Sequence, residues 1–201
     1  MALVLLAGCT AKQEGTATPT PGTGGDTSTR TTGSTGSPSG TNNSPKIDAP
    51  LDATRFLSQP CAVLSPTQLQ AFNISNPGTP HTDDPTARST GPYCNWSSDD
   101  PVPRGISVGF LVSNKNGLAD TIRGGRAAFP GYFEPAEVDG YPAVFNDLVD
   151  GRSRGICNIT VGISNTLAFR AAESWDRKRG TQSCEGAKQI AAAVITSLKG
   201  E

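Results

Sequence analysis

The chain is poor in the residues that most often carry chemistry. It holds one histidine and one methionine, and charged residues make up only 17% of its 201 positions. A Ser–His pair or a His-ligated metal would have to use His81, in Pro80-His81-Thr82-Asp83-Asp84-Pro85, where the flanking prolines suggest a solvated surface loop. No Gly-x-Ser-x-Gly elbow is present for a hydrolase nucleophile. No Cys-x-x-Cys pair occurs either, which removes the commonest zinc and redox spacings. Asp83-Asp84 and Asp99-Asp100 lack the spacing of a calcium loop and read as solvated turns. A formal net charge of −1, with a pI near 5.8, gives no electrostatic footprint for nucleic acid, so no nucleic-acid partner is expected. No catalytic residue, metal site or cofactor is therefore assigned.

What the chain does have begins at Leu6-Ala7-Gly8-Cys9. A leucine, two small residues and a cysteine form a lipobox pattern. The Cys9 thiol takes a diacylglyceryl group as a thioether, and small side chains at Ala7 and Gly8 admit the extended backbone to a narrow peptidase site. Two acyl chains suffice for stable anchoring, since each buried methylene contributes about 0.8 kcal/mol. A signal peptide normally opens with positive charge and carries a longer apolar run. Here no Lys or Arg precedes Cys9 and only residues 2–7 are apolar. Met1 is therefore expected to be an internal start, with residues 1–8 the end of a truncated signal peptide. Of the 36 residues at 10–45, 27 are Thr, Ser, Gly or Pro, and none is aromatic, Leu, Ile or Val. Such a segment cannot repay the entropy of ordering. Residues 9–46 are thus expected to be a lipidated cysteine and its disordered tether, placing residues 47–201 outside the cytoplasmic membrane.

Residues 47–201 suit one domain with one core. Cys61, Cys94, Cys157 and Cys184, an even set in an exported chain, read as two disulfides. Three pairings are open. The one expected is Cys61–Cys94 with Cys157–Cys184, each closing about 30 residues and contributing roughly 3–4 kcal/mol.

Ser65-Pro66-Thr67-Gln68 predicts a capped helix over 66–72. The polar stretch 76–92 predicts a surface loop, and strands are predicted at 93–97 and 106–112. A short helix follows at 118–126, then a strand, turn and strand over 137–145. Two more strands at 155–163 and 166–172 meet in a hairpin at Asn165. Ala187, Ile190, Ala191, Val194, Ile195 and Leu198 recur at helical spacing, giving an amphipathic helix over 185–198. The order predicts an α+β domain, an antiparallel β-sheet with flanking helices.

Several motifs in sequence together carry a resemblance. They are Pro60-Cys61-Ala62-Val63-Leu64 before the Ser-Pro-capped helix, Cys94-Asn95-Trp96, Gly140-Tyr141-Pro142-Ala143, Cys157 in a strand, and Cys184 before the last helix. Behind a lipobox and a Thr-rich tether, this set resembles the actinobacterial secreted lipoproteins grouped as a domain of unknown function. The resemblance implies an exported, lipid-anchored, disulfide-bonded domain and carries no established activity. The element order is also similar to Mog1/PsbP-like α/β sandwiches and to extracellular sensor domains of actinobacterial kinases, although fold does not determine function.

Three features are candidates for function. Phe129, Tyr132 and Phe133, around Pro130-Gly131, read first as a loop folded over the core; the alternative is that some of them line a groove for an apolar ligand or partner. Arg177-Lys178-Arg179 reads as a solvated loop or as a contact for anionic lipid or wall polymer. Glu134, Glu137, Asp139 and Glu173 supply the carboxylates that a glycoside-type hydrolase would need in pairs. The leading expectation is a non-enzymatic binding or interaction module, anchored to the membrane by lipid, whose partner is an envelope protein, a wall polymer or an apolar ligand. A small-molecule or lipid carrier or sensor, and an envelope hydrolase, are the alternatives. Expressed from its full-length gene, upstream start included, in a lipidating bacterium, the protein should incorporate labelled palmitate, and Cys9→Ser should abolish the label.

Overall fold

The computed structural model describes residues 45–201; Cys9, the lipobox and nearly all of the tether lie outside the described residues. A seven-stranded sheet, every pairing antiparallel, forms the centre of the domain. Its strands are β1 (Thr79–His81), β2 (Tyr93–Ser97), β3 (Gly105–Phe110), β4 (Tyr132–Val138), β5 (Tyr141–Asp147), β6 (Ile156–Gly162) and β7 (Ala168–Ser174). The spatial order is β1-β2-β3-β7-β6-β5-β4, so a four-strand meander folds back and lays β7 against β3. Asp139-Gly140, both at positive φ, closes the tight β4–β5 hairpin. With five helices and two disulfides, the domain is α+β.

The predicted loop over 76–92 is corrected. It contains β1 at the sheet edge and a one-turn helix, α3 (Pro85–Ser89). Asp84 caps α3 by accepting the Ala87 N–H at 2.8 Å, and Pro85 occupies the first helical position. The 66–72 helix appears as α2 (Pro66–Ala71) with a full capping box: Ser65 accepts from Gln68 N while Gln68 accepts from Ser65 N. Ahead of it lie α1 (Thr54–Ser58) and a 3-10 turn at Pro60–Val63. The helix after β3 is α4 (Leu118–Ala128), which breaks from helical geometry at Gly125.

The terminal helix α5 (Gln182–Lys199) starts three residues earlier than its apolar spacing suggested. Ala187, Ile190, Ala191, Val194 and Ile195 are fully buried against Ile159, Val161, Phe169 and Ala171 of the sheet, with Val108 and Phe110 in the same core. The bridges join Cys61 to Cys94 and Cys157 to Cys184. The first ties the 3-10 turn to β2; the second ties β6 to the opening turn of α5.

Beside the second bridge sits a buried ion pair. Glu173 of β7 is fully inaccessible, and the Arg104 guanidinium lies against its carboxylate. The contact is ionic rather than a well-directed hydrogen bond, and no other donor among the described residues reaches the carboxylate. Arg104 is itself held by the Phe72 carbonyl at 3.0 Å and lies over the rings of Phe72 and Trp175. Gly186 completes the arrangement, because a side chain there would meet the Glu173 carboxylate 2.0 Å from its Cβ. Removing one member of a buried pair strands the other's charge, which costs about 3–5 kcal/mol. Arg104→Met should therefore lower the urea unfolding free energy by about that amount. Arg104→Met with Glu173→Leu should recover much of it, as read from unfolding midpoints at constant slope.

Candidate functional site

Period-two alternation gives the sheet two unlike faces. Cys94, Trp96, Ile106, Val108, Phe169 and Ala171 turn toward α5 and are buried. On the other face, α4 covers the strands from β4 to β6, and Leu118, Val144 and Ala168 form a second small cluster with Ile122 and Phe133. Across β2, β3 and the Arg170–Ala172 part of β7, no helix among the described residues packs over that face beyond the α3 rim. There it forms a groove of about 360 Å³, with Gly109 and Ala172 in its floor, Tyr93 and Ser107 beside them, and Thr86 and Thr90 at the α3 rim. The volume lies in the range of small-molecule sites.

Two polar side chains from central strands enter this groove, Arg170 of β7 and Asn158 of β6. Arg170 lies 3.3 Å from Asp147, and Asn158 donates its amide N–H to the same carboxylate. The Asn158 backbone N–H donates to the Tyr132 hydroxyl at 2.9 Å, which sets the register of this corner. Burial raises the Tyr132 phenol pKa. Arg170 has five N–H donors, and among the described residues its one polar contact is Asp147. The remaining donors suit an acceptor-rich group at the wet end of an otherwise small and apolar floor.

The α3 side of the groove is fixed by His81, Asp84 and Tyr93. His81 is in edge strand β1 rather than a loop, its ring stacked 4.2 Å from that of Tyr93. His81 Nδ1 lies 2.7 Å from Asp84, and the Tyr93 hydroxyl donates to the same carboxylate at 2.9 Å. The Ala87 N–H, then the Tyr93 hydroxyl and His81, hold the Asp84 pKa below the usual carboxylate value. Asp84 in turn raises the Tyr93 phenol pKa.

The sequence-predicted residues fall elsewhere. Tyr132 is buried, with Arg152 over its ring at 4.5 Å. Phe129 and Phe133 stack on each other at 6.3 Å, Phe133 against the cluster under α4. None of the three lines the groove. The four carboxylates are dispersed: Glu173 in the core, Glu134 paired with Arg152, Glu137 exposed on β4, and Asp139 in the hairpin. Asp83 pairs with Arg88, while Asp99 and Asp100 accept from Ser75 and Asn73. Among the described residues no three His, Cys, Asp or Glu side chains gather as metal ligands, and no helix is long and apolar enough to cross a membrane. Arg170 was open to sequence reasoning, as a lone cation inside an apolar strand.

The architecture defines a disulfide-bonded α+β domain whose open sheet face carries a small groove. The chain belongs to the family described as "Protein of unknown function (DUF3558)", which matches residues 4–197. No curated protein and no solved structure is significantly similar to it.

The Asp84 shift sets a pH dependence. A lowered folded-state pKa means that the stabilisation is present at neutral pH and lost as pH falls through that lowered value. By carboxyl NMR, Asp84 should titrate below 3.8. In Asp84→Asn, the Tyr93 phenol should fall back toward 10.0.

Proposed function

We propose that this protein is an exported lipoprotein of actinobacterial type, anchored by acyl chains on Cys9. It acts as a non-enzymatic binding module, and the groove on the open sheet face is its binding site. The ligand is a small amphiphile whose apolar body lies along Gly109 and Ala172 and whose anionic oxygens face Arg170. The observation that carries the reading is Arg170 itself, a central-strand cation with free donors beside an apolar floor. A partner protein would find no flat apolar surface there, whereas a concave site with one oriented cation selects a molecule of limited size. The lipobox, the Thr-rich tether and the paired cysteines support the extracytoplasmic setting. The dispersal of Glu134, Glu137, Asp139 and Glu173 supports binding over hydrolysis.

The test is native mass spectrometry of the lipoprotein released from its own host's membrane by mild detergent. Wild type should carry a small non-covalent adduct beyond the acyl mass on Cys9. Ala172→Phe, which fills the floor, should lose it, and Arg170→Met should retain at most a small fraction. A wild-type protein without an adduct, or an adduct unchanged in Ala172→Phe, overturns the groove as the binding site.

A further inference from the structure

The loops at one end of the sheet combine exposed apolar side chains with a cluster of cations. Pairing of Gly105 with Ser174, of Ser174 with Ile156, and of Tyr132 with Asp147 brings residues 98–104, 148–155 and 175–181 to the same end. Four large hydrophobic side chains are exposed among the described residues: Val102, Val112, Leu148 and Val149. Three of these belong to this end. Leu148 and Val149, adjacent in the chain, are 64% and 62% exposed, and Val102 is 49% exposed between two prolines. The Leu148-Val149 tip is not a loose end. Gly131 presses so closely on it that a Cβ there would lie 2.5 Å from the Val149 carbonyl carbon.

Two turns at this end concentrate positive charge. Arg152–Arg154 and Arg177–Arg179 form two 3-10 turns that pack side by side. They approach this closely because Gly155, at φ +77°, lies where a side chain would strike the Asp176 carbonyl. Of the acids at this end, Asp150 and Glu134 hold Arg152, Asp176 accepts the Lys178 backbone N–H, and Asp99 and Asp100 of the 98–104 loop accept from Ser75 and Asn73. Arg154, Arg177 and Lys178 are exposed and have no acidic partner among the described residues, while Arg179 lies over Trp175 at 4.4 Å.

We propose that this end of the domain is a membrane-contact surface that seats on an anionic lipid bilayer, with Leu148 and Val149 entering the interface and Arg154, Arg177 and Lys178 meeting the headgroups. Apolar tips ringed by cations are the chemistry of interfacial binding, where buried apolar area and attraction to anionic lipid add. Each cation near such a surface contributes roughly fivefold in affinity. The alternative occupant, a protein, needs about 800 Å² of complementary surface on each side, and the Leu148-Val149 tip with Val102 does not provide it. A bilayer needs no complementary shape. The surface uses no residue of the groove, and the groove remains open when it is occupied.

The experiment takes the full chain as Cys9→Ser, so that no acyl chain contributes, and measures co-sedimentation with vesicles of phosphatidylglycerol and phosphatidylcholine at about 0.1 M salt. The expected result is binding to phosphatidylglycerol vesicles, with little to pure phosphatidylcholine, weakening several-fold as salt is raised and the Debye length shrinks. Leu148→Ser with Val149→Ser should weaken it roughly tenfold. Arg177→Glu with Lys178→Glu should weaken it at least as much, with circular dichroism unchanged in both because all four side chains are exposed. Val112→Asp, an exposed valine beyond the other end of β3, should bind as wild type. Absence of binding to phosphatidylglycerol vesicles, or equal binding to neutral ones, overturns the proposal, as does wild-type binding by either double variant. Binding to soluble polyphosphate without binding to vesicles would assign the cations to a wall polymer and likewise overturn it. Every arm is independent of the groove and of lipidation.

Discussion

The opening turn of α5 is fixed to the sheet at one place, and most of the domain's order follows from that attachment. Cys184 is bonded to Cys157 of β6, Gly186 lies against the Glu173 carboxylate of β7, and Arg104 holds that carboxylate from the segment leading into β3. Three strands and a helix therefore meet at a covalent bond, a charge pair and a missing side chain. Once this turn is seated, the 3.6-residue spacing of Ala187, Ile190, Ala191, Val194 and Ile195 brings the rest of α5 onto the apolar face. The helix supplies the hydrophobic area, and the turn specifies where along the sheet that area is buried.

Coverage of the opposite face is partial, which makes a site there feasible. The chain provides one long helix for the first face but only α4 for the second, and α4 packs on β4, β5 and β6. On that side the uncovered strands place small residues, Ser107, Gly109 and Ala172, between Tyr93 and Arg170. Larger side chains would expose apolar surface or fill the hollow. Asn158 and Arg170 hold Asp147 at the boundary between the covered and uncovered halves, so the polar corner is structural for α4's half and accessible from the other.

The parts of the fold legible in the sequence were those with strong local period or chemistry. Ile190, Val194 and their neighbours announce α5, and Ser65 with Gln68 announces the start of α2. The segment 76–92 failed for the opposite reason: β1 has three residues and α3 five, too few for any period to register. Its Asp84-Pro85 start carried the same kind of cap signal as Ser65-Pro66 and was the clue available. Strand β4 begins at Tyr132, five residues ahead of the predicted start at 137, and its edge position accommodates Pro135. The Arg104–Glu173 pair was out of reach, since nothing local links a loop arginine to a distant strand glutamate. Tyr132 and Phe133 are consecutive residues of one strand and so point to opposite sides of it, which a reading of the cluster as one unit does not register.

Both marginal strands contain a proline, Pro80 in β1 and Pro135 in β4. A proline has no amide hydrogen to offer a newcomer, so each rim of the sheet is interrupted where an eighth strand would have to zip on. Oligomers built by edge pairing, and capture of extended peptides by strand addition, are both disfavoured. In a crowded compartment the two rims of the described sheet are therefore poor templates for a newcomer.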